Sequence, residues 1–457
     1  MKTNSMKVFS RLTVLFICAC FYSCKQTQQS SDTSLLEPQI RAGMAKLSGQ
    51  ILAPVPPQMS LNLRFQNPVT AHESIYEASP DSDGRFHFEV PVECSKVQVS
   101  LVAPGYGGTF VVLSPDEEAY VEVQIGSNGV SLVRTDQIRL LSSQDIQNYS
   151  TGIMPRFATK TGDIKSLYEM SPEVYANEAT NFMKERIDYA LEGATLSDAG
   201  RAFTTNELAL MYLYDRLLSY KEAMESAYLN IEGQEKLSQF VPQEPDASYY
   251  SFLKQFQLDN AQYMYNSYFP SVMQKILAAK GLNIPAIVDT PIQEWISGVK
   301  ATLTELLGFD SGQFYDLLVA HAYAKQLNDE SAPLSDKQKE NISAYFQGGE
   351  MAQILLRRNE EIIKQAEGRT GVFVRDTPAV PANELMDAII TNYKGKTVVV
   401  DFWATWCGPC LSAMEQTKPL KSELKDKEVV FVYLTNPSSG KREWSKQSRA
   451  WMATIII

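Results

Sequence analysis

Hydrophobic and polar residues alternate with a period of two along Leu47–Leu52, Ser60–Phe65, Arg85–Val90, Val97–Val102 and Tyr120–Ile125. Such alternation sends one set of side chains into a core and the other into water, so each run predicts a strand. Pro, Gly and Asp interrupt the runs at short intervals, which predicts a small β-sandwich over 45–135. Phe65, Phe86 and Phe88 are expected in its core rather than on a carbohydrate- or peptide-binding face. From Ser142 to Glu367 the period becomes helical. Ser171-Pro-Glu opens a helix burying Ala179, Met183, Ile187 and Leu191 and ending near Gly193. Thr204-Thr-Asn-Glu207 and Ser335-Asp-Lys-Gln338 read as capping boxes, and Pro291 as a first helical residue. About six to eight helices are expected in an all-α domain over 142–367. Tyr212, Tyr214, Tyr220, Tyr249, Tyr250, Tyr263, Tyr265 and Tyr268 are expected as packing residues, because no repeat period aligns them into a groove. His321, inside Leu317-Leu-Val-Ala-His-Ala-Tyr323, is expected buried and hydrogen-bonded.

A third pattern follows. Thr397 to Trp403 is apolar on both faces, which marks a central strand that wants neighbours on each side, although the strands that would supply one of them are expected to be absent. It leads into Trp406-Cys-Gly-Pro-Cys410, where a helix is expected to begin. Two cysteines so spaced can close a small ring by oxidation. A helix N-terminus carries unpaired N–H groups and partial positive charge, and a thiol there ionises more readily. Pro409 fits the first turn, where a missing N–H loses nothing, and Gly408 lets the turn close tightly. Cys407 is thus the expected nucleophile and Cys410, one turn inward and shielded, the resolving thiol. Zinc is the competing use of such a pair. It needs four ligands, and no second C-x-x-C or H-x-x-x-H supplies them, so no metal is expected. His72, His87 and His321 all lie far upstream, which disfavours a Cys–His protease.

Forty-four per cent hydrophobic residues exclude wholesale disorder, and 457 residues suggest several domains. A net charge of −11 without a Lys/Arg cluster argues against nucleic-acid binding. Nor does any dinucleotide or phosphate-binding glycine loop follow a strand, so no cofactor is expected beyond the cysteine pair itself. The first residues read as a leader: Lys2, Lys7 and Arg11 precede the apolar stretch Leu12–Tyr22, which is too short to span a bilayer. Phe21-Tyr-Ser-Cys24 resembles a lipobox, giving a signal peptide over 1–23, lipidation at Cys24 and a flexible tether over 24–44. Ile17-Cys-Ala-Cys20 is a second candidate, and an uncleaved signal anchor the bland alternative. Cys94 is left over and is expected to pack as a small buried residue near a strand end.

The run Val400-Asp-Phe-Trp-Ala-Thr-Trp-Cys-Gly-Pro-Cys410, with Pro419 and Val429–Thr435, resembles the first half of a thioredoxin domain. It is most similar to lipid-anchored thiol-disulfide oxidoreductases of Bacteroidetes, in which Asp81-Ser-Asp-Gly-Arg-Phe-His-Phe88 also resembles the domains set before the thioredoxin module. The resemblance implies a thioredoxin-like α/β fold over 371–457 and an acid at Asp401, buried behind the cysteines, that relays a proton to the resolving thiol. Trp403, Trp406, Gly408 and Pro409 would form the active-site surroundings. Reduction of client disulfides is implied, with electrons from a membrane donor, in the periplasm. In that family a further helix, two strands, a last helix and a cis-proline opposite the cysteines follow, whereas no proline lies after Pro437 here. The module is therefore expected to be incomplete, a truncated or frame-shifted form whose activity is uncertain. A non-catalytic anchored scaffold with a defective redox module is the alternative.

Overall fold

The structure is a computed structural model and describes residues 37–52, 54–55, 59–126, 129–135, 141–160, 167–233, 240–330, 332–367, 373–374, 378, 380–381, 383–424, 427–435, 438–439 and 455–456. The leader, Cys24 and the basic residues Lys441, Arg442, Lys446 and Arg449 lie outside them. The molecule is multidomain, with N-terminal sheets, a long run of helices and a C-terminal α/β unit.

Among the described residues eight strands open it: β1 (Ile40–Ile51), β2 (Leu61–Gln66), β3 (Glu73–Ala78), β4 (Arg85–Cys94), β5 (Val97–Ala103), β6 (Gly107–Leu113), β7 (Glu118–Gly126) and β8 (Gly129–Thr135). They form two four-stranded sheets, ordered β4-β1-β7-β8 and β3-β2-β5-β6. Leu61, Leu63 and Phe65 of β2 point inward while Asn62 and Arg64 alternate outward, as period two requires. Three strands escaped the sequence reading. The second half of β6 is buried on both faces, which erases alternation, and β3 is a sheet edge that exposes Ile75. The tether prediction needs correcting as well. Ile40 to Met44 belong to β1, held by pairing with Pro91–Cys94 of β4. Phe65, Phe86, Phe88 and Cys94 all lie in the core.

Ten α-helices follow among the described residues, more than expected, because two of them span only six residues each. They are α1 (Ser143–Asn148), α2 (Met154–Thr159), α3 (Pro172–Leu191), α4 (Asp198–Tyr212), α5 (Tyr220–Glu232), α6 (Phe269–Ala278), α7 (Ile292–Leu307), α8 (Gln313–Lys325), α9 (Asp336–Tyr345) and α10 (Glu350–Glu367). Ser171 caps α3, whose buried face holds Ala179, Met183 and Ile187, with Leu191 half-buried at its end. Ser335 and Gln338 form the capping box of α9. Thr204–Glu207 does not cap anything. It lies inside α4, which Ser197 caps, and Glu207 is buried there, accepting from the Ser267 N–H at 3.1 Å and from the Ser267 hydroxyl. Pro291 is the residue before α7 rather than its first. The named tyrosines pack internally, with Tyr214 and Tyr268 half-buried.

Sheets and helices share one continuous core. Phe110 of β6 stacks on Phe203 of α4 at 5.9 Å and meets Tyr149 edge-on at 5.4 Å. The loop after β2 is clasped from the helical side: Asn328 Nδ2 donates to the Thr70 carbonyl at 2.7 Å, and His321 Nε2 lies 2.8 Å from the Pro68 carbonyl. A carbonyl only accepts, so His321 Nε2 carries the proton while Nδ1 accepts from Gln274 Nε2 at 3.2 Å. Burial holds the His321 pKa down at about 4. An unfolded histidine would take up a proton below about 6.5, which the folded site refuses. Stability therefore falls as pH drops from 6.5 through about 4. The part-buried Glu93, which accepts from Thr70 Oγ1 at 3.0 Å, works with the opposite sign. Its pKa is raised to about 7, chiefly by desolvation, so its contribution is lost as pH rises from 4.5 to 7. The expected result is that Glu93→Gln steepens acid unfolding between pH 6.5 and 4, whereas His321→Gln flattens it. Urea titrations across that range check both slopes; parallel curves for the two variants would refute the assignment.

The C-terminal unit has a sheet of parallel strands ordered β10-β11-β12-β9, where β9 is Phe373–Val374, β10 Thr397–Phe402, β11 Val429–Leu434 and β12 Ile455–Ile456. Its helices are α11 (Leu385–Ile390), α12 (Gly408–Gln416) and α13 (Lys418–Glu423). β11 is covered on both faces: Phe431 and Tyr433 join Trp403 and Met414, while Val432 and Leu434 join Ile389. The sequence calls for neighbours on both sides of Thr397–Trp403 and leaves one of them unsupplied. Among the described residues β10 pairs with β11 alone and is an edge, leaving Val399 and Phe402 exposed.

Candidate active site

The ladder between β10 and β11 ends where the Trp403 N–H donates to the Leu434 carbonyl at 3.0 Å, and the chain then turns. The Cys407 N–H donates to the Ala404 carbonyl at 3.0 Å, and the Leu411 N–H to the Cys407 carbonyl at 3.1 Å, which starts α12. Cys407 thus stands at the cap position of a nine-residue helix. It forms a disulfide with Cys410 across a Cα separation of 5.3 Å, and the Cys410 N–H points at its sulfur at 3.3 Å. That N–H is one of the donors a helix start leaves without an internal partner, and it is placed to stabilise negative charge on the Cys407 sulfur.

Cys407 and Cys410 are both half-buried, with Cys410 seated against the core of Trp403, Met414, Phe431 and Tyr433. Trp403 is buried and Trp406 is 70 % exposed, its Nε1 donating to Ser438 Oγ at 3.1 Å. Pro409 is the second residue of α12, where no N–H is needed. Gly408 is not sterically required. A Cβ there would meet open space, because the first turn faces solvent. Asp401 lies on β10 in register with Tyr433 and is half-buried rather than fully enclosed, since no described strand covers the other flank of β10. Thr417 interrupts the helix between α12 and α13, and Pro419 follows in the first turn of α13.

The structure adds residues that sequence reasoning passed over. Ser439 is buried; its hydroxyl accepts from the Thr405 N–H at 3.1 Å and lies 2.8 Å from Thr435 Oγ1, tying the loop before Cys407 to the end of β11. The turn signal Asn436-Pro-Ser-Ser439 marked a loop there but not its partner. Tyr433 and Lys421 are also buried beside this core. Burial, opposed by a Thr417 hydrogen bond and reinforced by Asp401, raises the Tyr433 pKa. Among the described residues no cluster of His, Cys, Asp or Glu could hold a metal ion.

Comparison with known proteins supports the resemblance. Residues 382–455 match the family described as Redoxin. The chain is 44% identical over 69 residues to the thioredoxin-like protein YneN of Bacillus subtilis, covering 15% of this chain and 38% of that protein. It is 42% identical over 43 residues to the thiol-disulfide oxidoreductase ResA of Oceanobacillus iheyensis, covering 9% and 22%. The chain thus spans well under half the length of either relative. No solved structure matches it.

Proposed function

We propose, from a C-terminal segment that is thioredoxin-like, that this chain exchanges disulfides with protein clients and runs in the reducing direction. The carrying observation is the Cys407–Cys410 disulfide at the start of α12, with the Cys410 N–H on the Cys407 sulfur. In the reduced protein the Cys407 thiolate attacks a client cystine; one client sulfur leaves with the electron pair and is protonated. The Cys410 sulfur then attacks Cys407, closes the ring and expels the second client thiol. Asp401 takes the Cys410 proton in that second step. A dithiol-bearing membrane partner returns two electrons and two protons. No cofactor beyond the cysteine pair takes part. The chain is held at the membrane face of the bacterial periplasm by a lipid on Cys24. Among the described residues no helix is long and apolar enough to cross a membrane.

Insulin reduction driven by a soluble dithiol tests the reading. The purified chain is expected to turn over, and Asp401→Asn to slow turnover about 100-fold near neutral pH, the usual contribution of a positioned acid–base group. Absence of turnover by the unaltered chain would favour an anchored scaffold instead.

A further inference from the structure

In the oxidised protein the Cys407 sulfur is fixed by its covalent bond to Cys410. Reduction removes that bond just when a thiolate has to be held against the Cys410 N–H, which lies 3.3 Å from the sulfur. A hydrogen bond to a charged atom depends on distance and angle, so the backbone before Cys407 must then keep the sulfur in place. That backbone is tied at several points. The Trp403 N–H donates to the Leu434 carbonyl and the Cys407 N–H to the Ala404 carbonyl, both at 3.0 Å. Between them the Thr405 N–H donates to Ser439 Oγ and Trp406 Nε1 to Ser438 Oγ, both at 3.1 Å. The last two ties differ in strength. Trp406 is 70 % exposed, so water can replace its partner, whereas Ser439 is 8 % exposed. The Ser439 hydroxyl is itself anchored, 2.8 Å from Oγ1 of Thr435, the residue that follows β11.

We propose that Ser439 is a positioning residue of the redox site: by accepting from the Thr405 N–H it holds the turn before Cys407, and so keeps the Cys407 thiolate against the Cys410 N–H once the disulfide is open. The inference rests on the exchange reading above and names the residue that keeps its nucleophile aligned. Reduction by a dithiol breaks the S–S bond and delivers two electrons and two protons, leaving two thiols here and a disulfide on the donor. Cys407 then releases its proton to solvent and becomes the attacking thiolate. Ser439 takes no part in either transfer. Its influence runs through the backbone two residues ahead of Cys407, and Thr435 keeps its hydroxyl beside that backbone.

The test uses the full chain, reduced, and follows alkylation of Cys407 against pH by mass spectrometry. Ser439→Ala removes the acceptor; Ser439→Thr keeps a hydroxyl. The expected result is that Ser439→Ala moves the Cys407 profile up by about half a pH unit, a roughly threefold slower reaction near pH 6, while Ser439→Thr restores it. If the unaltered chain reduces insulin and Ser439→Ala leaves the profile in place, the inference is overturned while the exchange reading stands. A shift that Ser439→Thr shares in full assigns the effect to packing and overturns it too. If the unaltered chain does not reduce insulin, the reading fails and the inference with it. Should Ser439→Ala not fold, nuclear magnetic resonance of the unaltered reduced protein decides. The Thr405 amide is expected to be protected from hydrogen exchange and its resonance to titrate with Cys407. An amide that exchanges at the unprotected rate, or is indifferent to that titration, refutes the brace.

Discussion

Cys407→Ser abolishes disulfide exchange, with a loss of about 1,000-fold or more, while Cys410→Ser leaves the first attack intact and traps the client as a mixed disulfide. The two outcomes differ because the two sulfurs are held differently. Cys407 caps α12 and faces the Cys410 N–H, so a thiolate there is stabilised, whereas a serine hydroxyl at the same place remains protonated near neutral pH. Cys410 sits one turn inward against the core of Trp403, Met414, Phe431 and Tyr433 and has only to close on its neighbour, with Cα atoms 5.3 Å apart. Insulin turnover and non-reducing gel shifts of each variant check the pair of results. Retained turnover in Cys407→Ser, or a trapped client on Cys407→Ser rather than on Cys410→Ser, would reverse the roles.

Phe203→Ala destabilises the molecule by about 3–5 kcal/mol, the usual loss for emptying a buried aromatic site. Phe203 is 1% exposed, stacks on Phe110 from the sheets and has its carbonyl hydrogen-bonded by Asn266 Nδ2. It therefore stands where the N-terminal sheets and the helices meet. Because one core runs through both, their unfolding should be a single transition, and the substitution should lower it as a whole. Thiol exchange by the molecules still folded should be unchanged, since the redox site rests on separate small cores. Denaturant titration followed by far-ultraviolet circular dichroism measures the loss. Two resolved transitions, with only one of them moved, would show that sheets and helices fold independently.

Much of the architecture could be read locally. The strands β1, β2, β4, β5 and β7 alternate cleanly because each has one face in the core and one in water. Helix starts at Ser171 and Ser335 were visible for a similar reason, as a cap depends on residues within one turn. Thr204–Glu207 carried the same letters and misled, since the core around Ser267 claimed Glu207 and α4 ran straight through. Residues buried on two faces, as in β6, gave no period to read.

Spacing alone determined the cysteine pair, its place at a strand–helix junction and the absence of a nearby zinc-binding partner motif, because all three depend on neighbours in the chain. Tertiary structure alone decided that Ser439 braces the loop before Cys407, that His321 clasps the loop after β2, and that Lys421 is buried over Tyr433. Each of these joins residues distant in sequence, and a side chain's burial and charge state are set by whatever the fold brings beside it. No pattern of nearby letters carries that information.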